Sequence, residues 1–177
     1  FDRFIKGIGE YYFHGGEKEL YFHIVGGVGQ SEMNNSKHAI GFKELIDKYN
    51  IKDRIIFHGQ QFGDSLNMIF DQCDFAVGSL ARHRCGIYNI KTLKNREYAA
   101  RGVPFVYSEN DDDFDNMPYV FKVPADESEI NIQAVINFYR NLTTNSSHIR
   151  NTIGNLSWKH QMQQVLEKVF NPKDDKK

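Results

Sequence analysis

Apolar residues recur along this chain in two alternating rhythms, one of spacing three and four and one of short unbroken runs. Phe4, Ile5, Ile8, Tyr11 and Tyr12 follow the first rhythm and predict a helix from Phe1 to Tyr12, stopped at His14-Gly15-Gly16. Leu20 to Val25 is an apolar run that enters Gly26-Gly27-Val28-Gly29, as a buried strand enters a tight loop. A second helix is predicted from about Ser36 to Tyr49, dry on Phe42, Leu45, Ile46 and Tyr49 and wet on Ile40, Lys43, Glu44, Asp47 and Lys48. Ile55 to His58 reads as a strand closed by Gly59, and Asp64-Ser65 as the cap of a short helix through Phe70. Phe75-Ala76-Val77 reads as a third strand.

From Gly78 to Ile90 the chain shows no element, and ordered loops of this length tend to carry function. Thr92 to Arg101 then predicts a helix ended by Gly102. Pro104 to Tyr107 and Tyr119 to Val123 predict strands, and helices are expected at about Glu129 to Asn141, His148 to Leu156 and Trp158 to Phe170, with a polar hinge from Thr143 to Ser147. Apolar strands alternating with helices predict an α/β fold: a Rossmann-like, doubly wound parallel sheet with helices on both faces. Ligands of such sheets sit at the carboxyl ends of the strands. That singles out the loops 26–31, 59–64, 78–90 and 108–116.

Composition narrows the function classes. The 177 residues suit one domain, expected over 1–170 with 171–177 a disordered tail. Net charge is −1, which offers no basic field for nucleic acid. No apolar run reaches the roughly 20 residues of a membrane-crossing helix. The two cysteines, Cys73 and Cys85, form no metal-type pair and suit a reducing, cytoplasmic setting.

Candidate chemistry lies in two places. The glycines 26, 27 and 29 form either a plain tight turn or a backbone that approaches phosphate or sugar; they complete neither GxGxxG nor a phosphate loop. A helix starting at Lys91 or Thr92 would point free N–H groups at the crevice, a ready anion site that Lys91 could support. Lys94 and Glu97 share a face, as site residues or as an ordinary surface pair. The run Glu109 to Asp115 is expected to be a solvated acidic loop rather than a metal site. His83 and Arg84 are candidates for a donor or acceptor contact, and the remaining histidines are expected to be structural or superficial.

Five fragments in order carry a resemblance. They are Phe22-His23-Ile24-Val25-Gly26, Arg54 to Gly59, Gln72 to Ser79, Glu97-Tyr98-Ala99-Ala100-Arg101-Gly102-Val103-Pro104, and Ser157-Trp158. Together they resemble the C-terminal, donor-binding domain of retaining group 1 glycosyltransferases, one half of a GT-B fold.

The resemblance implies transfer of a sugar from a nucleotide-diphosphate donor to a glycan or other acceptor, with that donor as substrate and no cofactor or metal. Glu97 matches the second of two family acids, the one that holds the donor ribose. The first falls on Asn89, which cannot carry a charge. Lys94 matches a lysine facing the donor phosphates, with Lys91 and Thr92 beside it. Gly59, Gln60 and Gln61 match the loop that touches the base, Ser79 the serine ending the third strand, and Gly86 the stretch near the transferred sugar. Gly26 and Gly27 match the first strand end.

The resemblance further implies a strand, an Arg/Lys pair and an N-terminal acceptor domain ahead of Phe1 in the same parent chain. Arg3 and Lys6, placed within a helix, are not that pair, and Lys6 is expected to be solvated. The fragment is expected to be inactive alone, and the parent to associate peripherally with a membrane. The alternative is a non-catalytic nucleotide-binding or assembly module of the same fold.

Overall fold

The computed structural model describes residues 1–34 and 41–170. In chain order the elements are α1 (Asp2–Phe13), β1 (Phe22–Val25), α2 (Gln30–Met33), α3 (Phe42–Tyr49), β2 (Ile55–Gly59), α4 (Gly63–Phe70), β3 (Ala76–Val77), α5 (Leu93–Arg101), β4 (Phe105–Tyr107), β5 (Val120–Lys122), α6 (Ile132–Arg140), α7 (Ser146–Thr152) and α8 (Trp158–Phe170). Short 3₁₀ turns lie at Lys52–Arg54, Arg82–Cys85 and Gly154–Leu156. The Ser36 to Ile40 portion of the expected second helix and the expected tail fall outside the described residues.

Among the described residues every strand pairing is parallel, as the apolar runs predict, and the strands form two sheets ordered β1-β2 and β3-β4-β5. Alternation along the second sheet feeds a core on each face. Ala76, Phe105, Tyr107 and Val120 point to one side, with Tyr98 and Ala99 of α5 and Ile149 of α7. Val77 and Val106 point to the other, with α1, α3 and α6. Phe22, Ile24 and Ile55 of the first sheet join that second core, so one apolar layer runs beneath both sheets. This is the doubly wound, two-faced arrangement.

Helix α1 explains its glycines. A Cβ on Gly7 would lie 2.2 Å from the Ile130 carbonyl oxygen, and one on Gly9 2.3 Å from the Tyr49 ring. The helix therefore lies flush between α3 and the start of α6. Arg3 is a buried charge within this helix. It is 3% exposed, and its guanidinium donates to the carbonyls of Leu80 (2.6 Å), Ser128 (2.8 Å) and Pro124 (3.0 Å), tying α1 to the loops after β3 and β5. Lys6 instead reaches Glu129 at 3.2 Å, both half open to water.

Two other local readings change. Asp64 and Ser65 do not cap α4; Phe62 does, without a side-chain bond, and Ser65 Oγ donates to the Phe62 carbonyl. Ser146 and Ser147 belong to α7, because Asn145 caps it by accepting from the His148 N–H at 2.9 Å.

The side of the β1-β2 pair away from the shared core holds the half-buried His23 and His58. Nδ1 of the first lies 2.9 Å from Nε2 of the second, with rings stacked at 5.1 Å. Burial, and then the charge of His58, lowers the His23 pKa. Protonation of His23 therefore favours the unfolded chain. Its contribution to stability is present above about pH 6.5 and is lost as pH falls from there through the lowered folded value. The melting temperature should drop between pH 7.5 and pH 5.5, and His23→Gln should flatten that slope; identical slopes for the two proteins would refute the coupling.

Candidate functional site

The sequence-predicted residues gather at the carboxyl ends of the strands in two groups. At the ends of β1 and β2, the Gly26 N–H donates to the Gly59 carbonyl at 2.7 Å, and both glycines hold positive φ (118° and 66°). Gln60 lies beside Gly27, and Gln61 donates to the His58 carbonyl at 2.8 Å. Among the described residues no atom lies within 4 Å of where a Cβ would stand on either strand-end glycine, which leaves backbone open there.

The second group surrounds the start of α5. Thr92 is its N-cap residue but makes no capping bond, and its buried Oγ1 has no partner among the described residues. The first N–H groups of the helix are therefore left for something else. Ser79 accepts from the Ser108 N–H at 3.0 Å through its carbonyl. Gly86, at φ 71°, closes the 3₁₀ turn 82–85. Asn89 bridges Asn110 in parallel fashion, and the Ile90 N–H donates to the Asn110 carbonyl at 2.8 Å, so the long loop is stitched to the loop after β4. No hydrogen bond or ion pair joins the two groups among the described residues.

Lys94 and Glu97 do not pair. Glu97 accepts from Arg101 at 3.0 Å, and Arg101 continues to Asn67 of α4. The Lys94 ammonium sits 4.8 Å above the Phe1 ring and has no acid partner among the described residues. Although the residue as a whole is exposed, protein atoms crowd its charged end. That crowding first, and the Arg82 charge second, lowers its pKa, with Glu109 acting the other way. Lys91 points elsewhere, 3.1 Å from Asp113.

The acidic run is not a solvated loop. Glu109 and Asp111 are buried, and Phe114 is fully enclosed among them. Lys91, Arg96 and Lys122 neutralise the run: Arg96 meets Asp111 at 3.5 Å and also Asp113, while Lys122 meets Asp115 at 2.5 Å. Burial raises the Asp111 pKa against the opposing pull of Arg96. Asp115 is lowered, because bonds from Lys122 and Tyr107 outweigh its burial. Among the described residues no group of three or more His, Cys, Asp or Glu side chains is arranged to hold a metal.

His83 and Arg84 are committed to structure. His83 Nε2 lies 2.7 Å from Glu127, and Arg84 bridges Glu127 (2.6 Å) and Asp2 (2.7 Å). The Arg84 bonds hold the Glu127 carboxyl down at about 2. Two residues of this region were not legible in the sequence. Asn95 is fully buried, bonded to Asp111 at 3.2 Å, and its Oδ1 lies so close to Gly78 that a Cβ there would come within 2.8 Å. Glu109 is the other.

No family model and no curated protein sequence matches the chain. Solved structures do. Sucrose-phosphate synthase from Thermosynechococcus elongatus is similar at a TM-score of 0.62 and 19% identity, over 96% of this chain and 43% of that one. A glycosyltransferase from Rickettsia africae ESF-5 is similar at a TM-score of 0.65 and 15% identity, over 97% of this chain and 44% of that one.

The fold is that of one half of a GT-B glycosyltransferase. At these identities the similarity speaks for the fold alone. The chain spans less than half the length of either structure. No helix of the described residues is long and apolar enough to cross a membrane.

Proposed function

We propose that this glycosyltransferase-like domain is the donor-binding half of a retaining, group 1 type glycosyltransferase, taking a nucleotide-diphosphate sugar at its strand ends. The observation that carries the reading is the open start of α5. Helix N–H groups without a side-chain cap and the Lys94 ammonium, which has no acid partner among the described residues, lie together at the start of α5, and folds of this kind take ligands at their strand ends. There they would stabilise the charge that develops on the departing diphosphate. Glu97, one turn along and half exposed, would accept from the ribose hydroxyls. The loop 59–61 would meet the base.

On this reading a strand ahead of Phe1 lies between β1 and β3, and an N-terminal domain supplies the acceptor site from the same parent chain in the cytoplasm. Supporting the strand is the single apolar layer shared by the two sheets. Supporting the domain is the apolar stripe of α8, where Trp158, Met162, Val165, Leu166 and Val169 all stand exposed. A second reading, a non-catalytic nucleotide-binding module, is favoured by one observation: position 89 is an uncharged Asn whose side chain is engaged by Asn110 at 3.4 Å.

Thermal-shift titration with UDP, GDP, ADP and their sugar conjugates tests the donor site. A rise with one base alone is expected, by about 2.7 kcal/mol of added stability at a hundredfold excess over Kd. No rise with any nucleotide, in the fragment and in the parent protein, would remove the reading.

A further inference from the structure

The loops leaving β3 and β4 meet at a parallel bridge between Asn89 and Asn110. Backbone bonds pin it on both sides: the Asn110 N–H donates to the Tyr88 carbonyl at 2.7 Å, and the Ile90 N–H to the Asn110 carbonyl at 2.8 Å. Ile90 is buried in the core with Tyr98 and Phe105. Both segments then lead to the start of α5. Ile90 comes shortly before the N-cap Thr92, and Asp111, next after Asn110, accepts from Asn95 Nδ2 of the first helical turn at 3.2 Å. Exposed side chains stand on this pinned bridge. Asn110 Nδ2 donates to Asn89 Oδ1 at 3.4 Å, which leaves the Asn89 amino group and the Asn110 side-chain carbonyl without partners among the described residues. The Tyr88 ring is 54% exposed, and no other ring, cation or hydrogen bond occupies it among the described residues. A tyrosine that packs on nothing adds little to the fold, whereas on a pinned backbone it offers a broad, stiff contact at low entropic cost.

We propose, on the donor reading above, that Tyr88, Asn89 and Asn110 are specificity-determining residues for the transferred sugar, and that this sugar is a neutral pyranose. A pyranose carries C–H bonds on its faces and hydroxyls around its edge. Its face packs on an open aromatic ring, and its edge needs donors and acceptors side by side. The amide pair offers both, a free amino group and a free carbonyl held next to each other, with no charge. Position favours the same ligand. The sugar of a nucleotide-diphosphate donor is bonded to the terminal phosphate, so it lies beside the anion site, and the bridge adjoins the helix start proposed to hold that phosphate. A uronic acid or an amino sugar would need a counter-ion on this segment. The cations there are committed, Lys91 to Asp113 at 3.1 Å and Arg96 to Asp111 at 3.5 Å, and Asp115 is held by Lys122 at 2.5 Å. Neutral hydroxyls suit what is left.

Calorimetry with UDP, GDP and ADP and with the glucose, galactose and mannose conjugates of each tests this on the unaltered chain, Tyr88→Ala, Tyr88→Phe and Asn110→Ala. Tyr88 and Asn110 are exposed, and the bonds that pin the bridge are made by backbone, so the variants keep the fold. For the nucleotide that binds, Tyr88→Ala should lower the affinity of at least one conjugate about fivefold, and Asn110→Ala about three- to tenfold, with affinity for the bare diphosphate unchanged. Tyr88→Phe should keep the conjugate affinity, because the ring and not the hydroxyl does the packing; a loss equal to that of Tyr88→Ala would overturn the stacking role. Conjugate affinities unchanged in Tyr88→Ala or in Asn110→Ala overturn the sugar site and leave the donor reading standing. Equal losses for the bare diphosphate and its conjugates overturn it too, since they would put these side chains at the nucleotide. If no nucleotide binds the unaltered chain, the donor reading is what fails, and methyl glycosides of the same sugars decide the sugar site by NMR. Shifts of the Asn89 and Asn110 side-chain amide signals support it, and unmoved signals overturn it.

Discussion

Arg3→Ala lowers stability by about 3 kcal/mol, which for a chain of this length is a fall in melting temperature of roughly 6–12 °C. The side chain is 3% exposed and donates to three carbonyls, of Leu80, Pro124 and Ser128. Truncation leaves those acceptors without a donor in a place too enclosed for full rehydration. It also removes the charge facing Asp126 at 3.7 Å, although Asp126 is exposed and loses little by it. Arg3→Lys should recover only part of the loss, because one ammonium cannot span three carbonyls as the planar fork does. Differential scanning calorimetry of the three proteins checks this. Equal melting temperatures for Arg3→Ala and the unaltered chain would show that α1 is held by its apolar face alone.

Glu97→Ala weakens nucleotide binding by about 10- to 100-fold while leaving the fold intact. The fold is safe because Glu97 is half exposed and its pair with Arg101 is a surface contact within one helix. Affinity is at stake because the same carboxylate is the group proposed to accept two ribose hydroxyls. Calorimetry with whichever nucleotide raises the melting temperature gives the answer, and an unchanged Kd in a folded variant would sink the assignment. Glu97→Gln refines the result: an amide keeps one acceptor, so its affinity should fall between the two.

These two residues show what a sequence can and cannot display. Glu97 stands in a fragment whose order of residues is itself informative, and its place on α5 follows from periodicity and from Gly102, which ends the helix at φ 76°. Arg3 stands in a helical pattern in which nothing distinguishes a buried charge from a wet one. Its acceptors lie 77, 121 and 125 residues away along the chain. The acidic run failed for the same reason. Four aspartates within five residues read as solvated, yet Lys91, Arg96 and Lys122 arrive from three other places to neutralise them.

Alternation, glycine stops and apolar runs are local, and by themselves they determined most of the element order and the parallel pairing of the strands. Helix and strand periods are properties of neighbouring residues, so they survive without knowledge of the rest of the molecule. Charge pairing is not local. Which cation has no acid partner among the described residues, Lys94 rather than Lys91, and which carboxylate is enclosed, Glu109 rather than Asp112, was decided only when loops distant in sequence were brought together, because burial and Coulomb energy depend on distance in space.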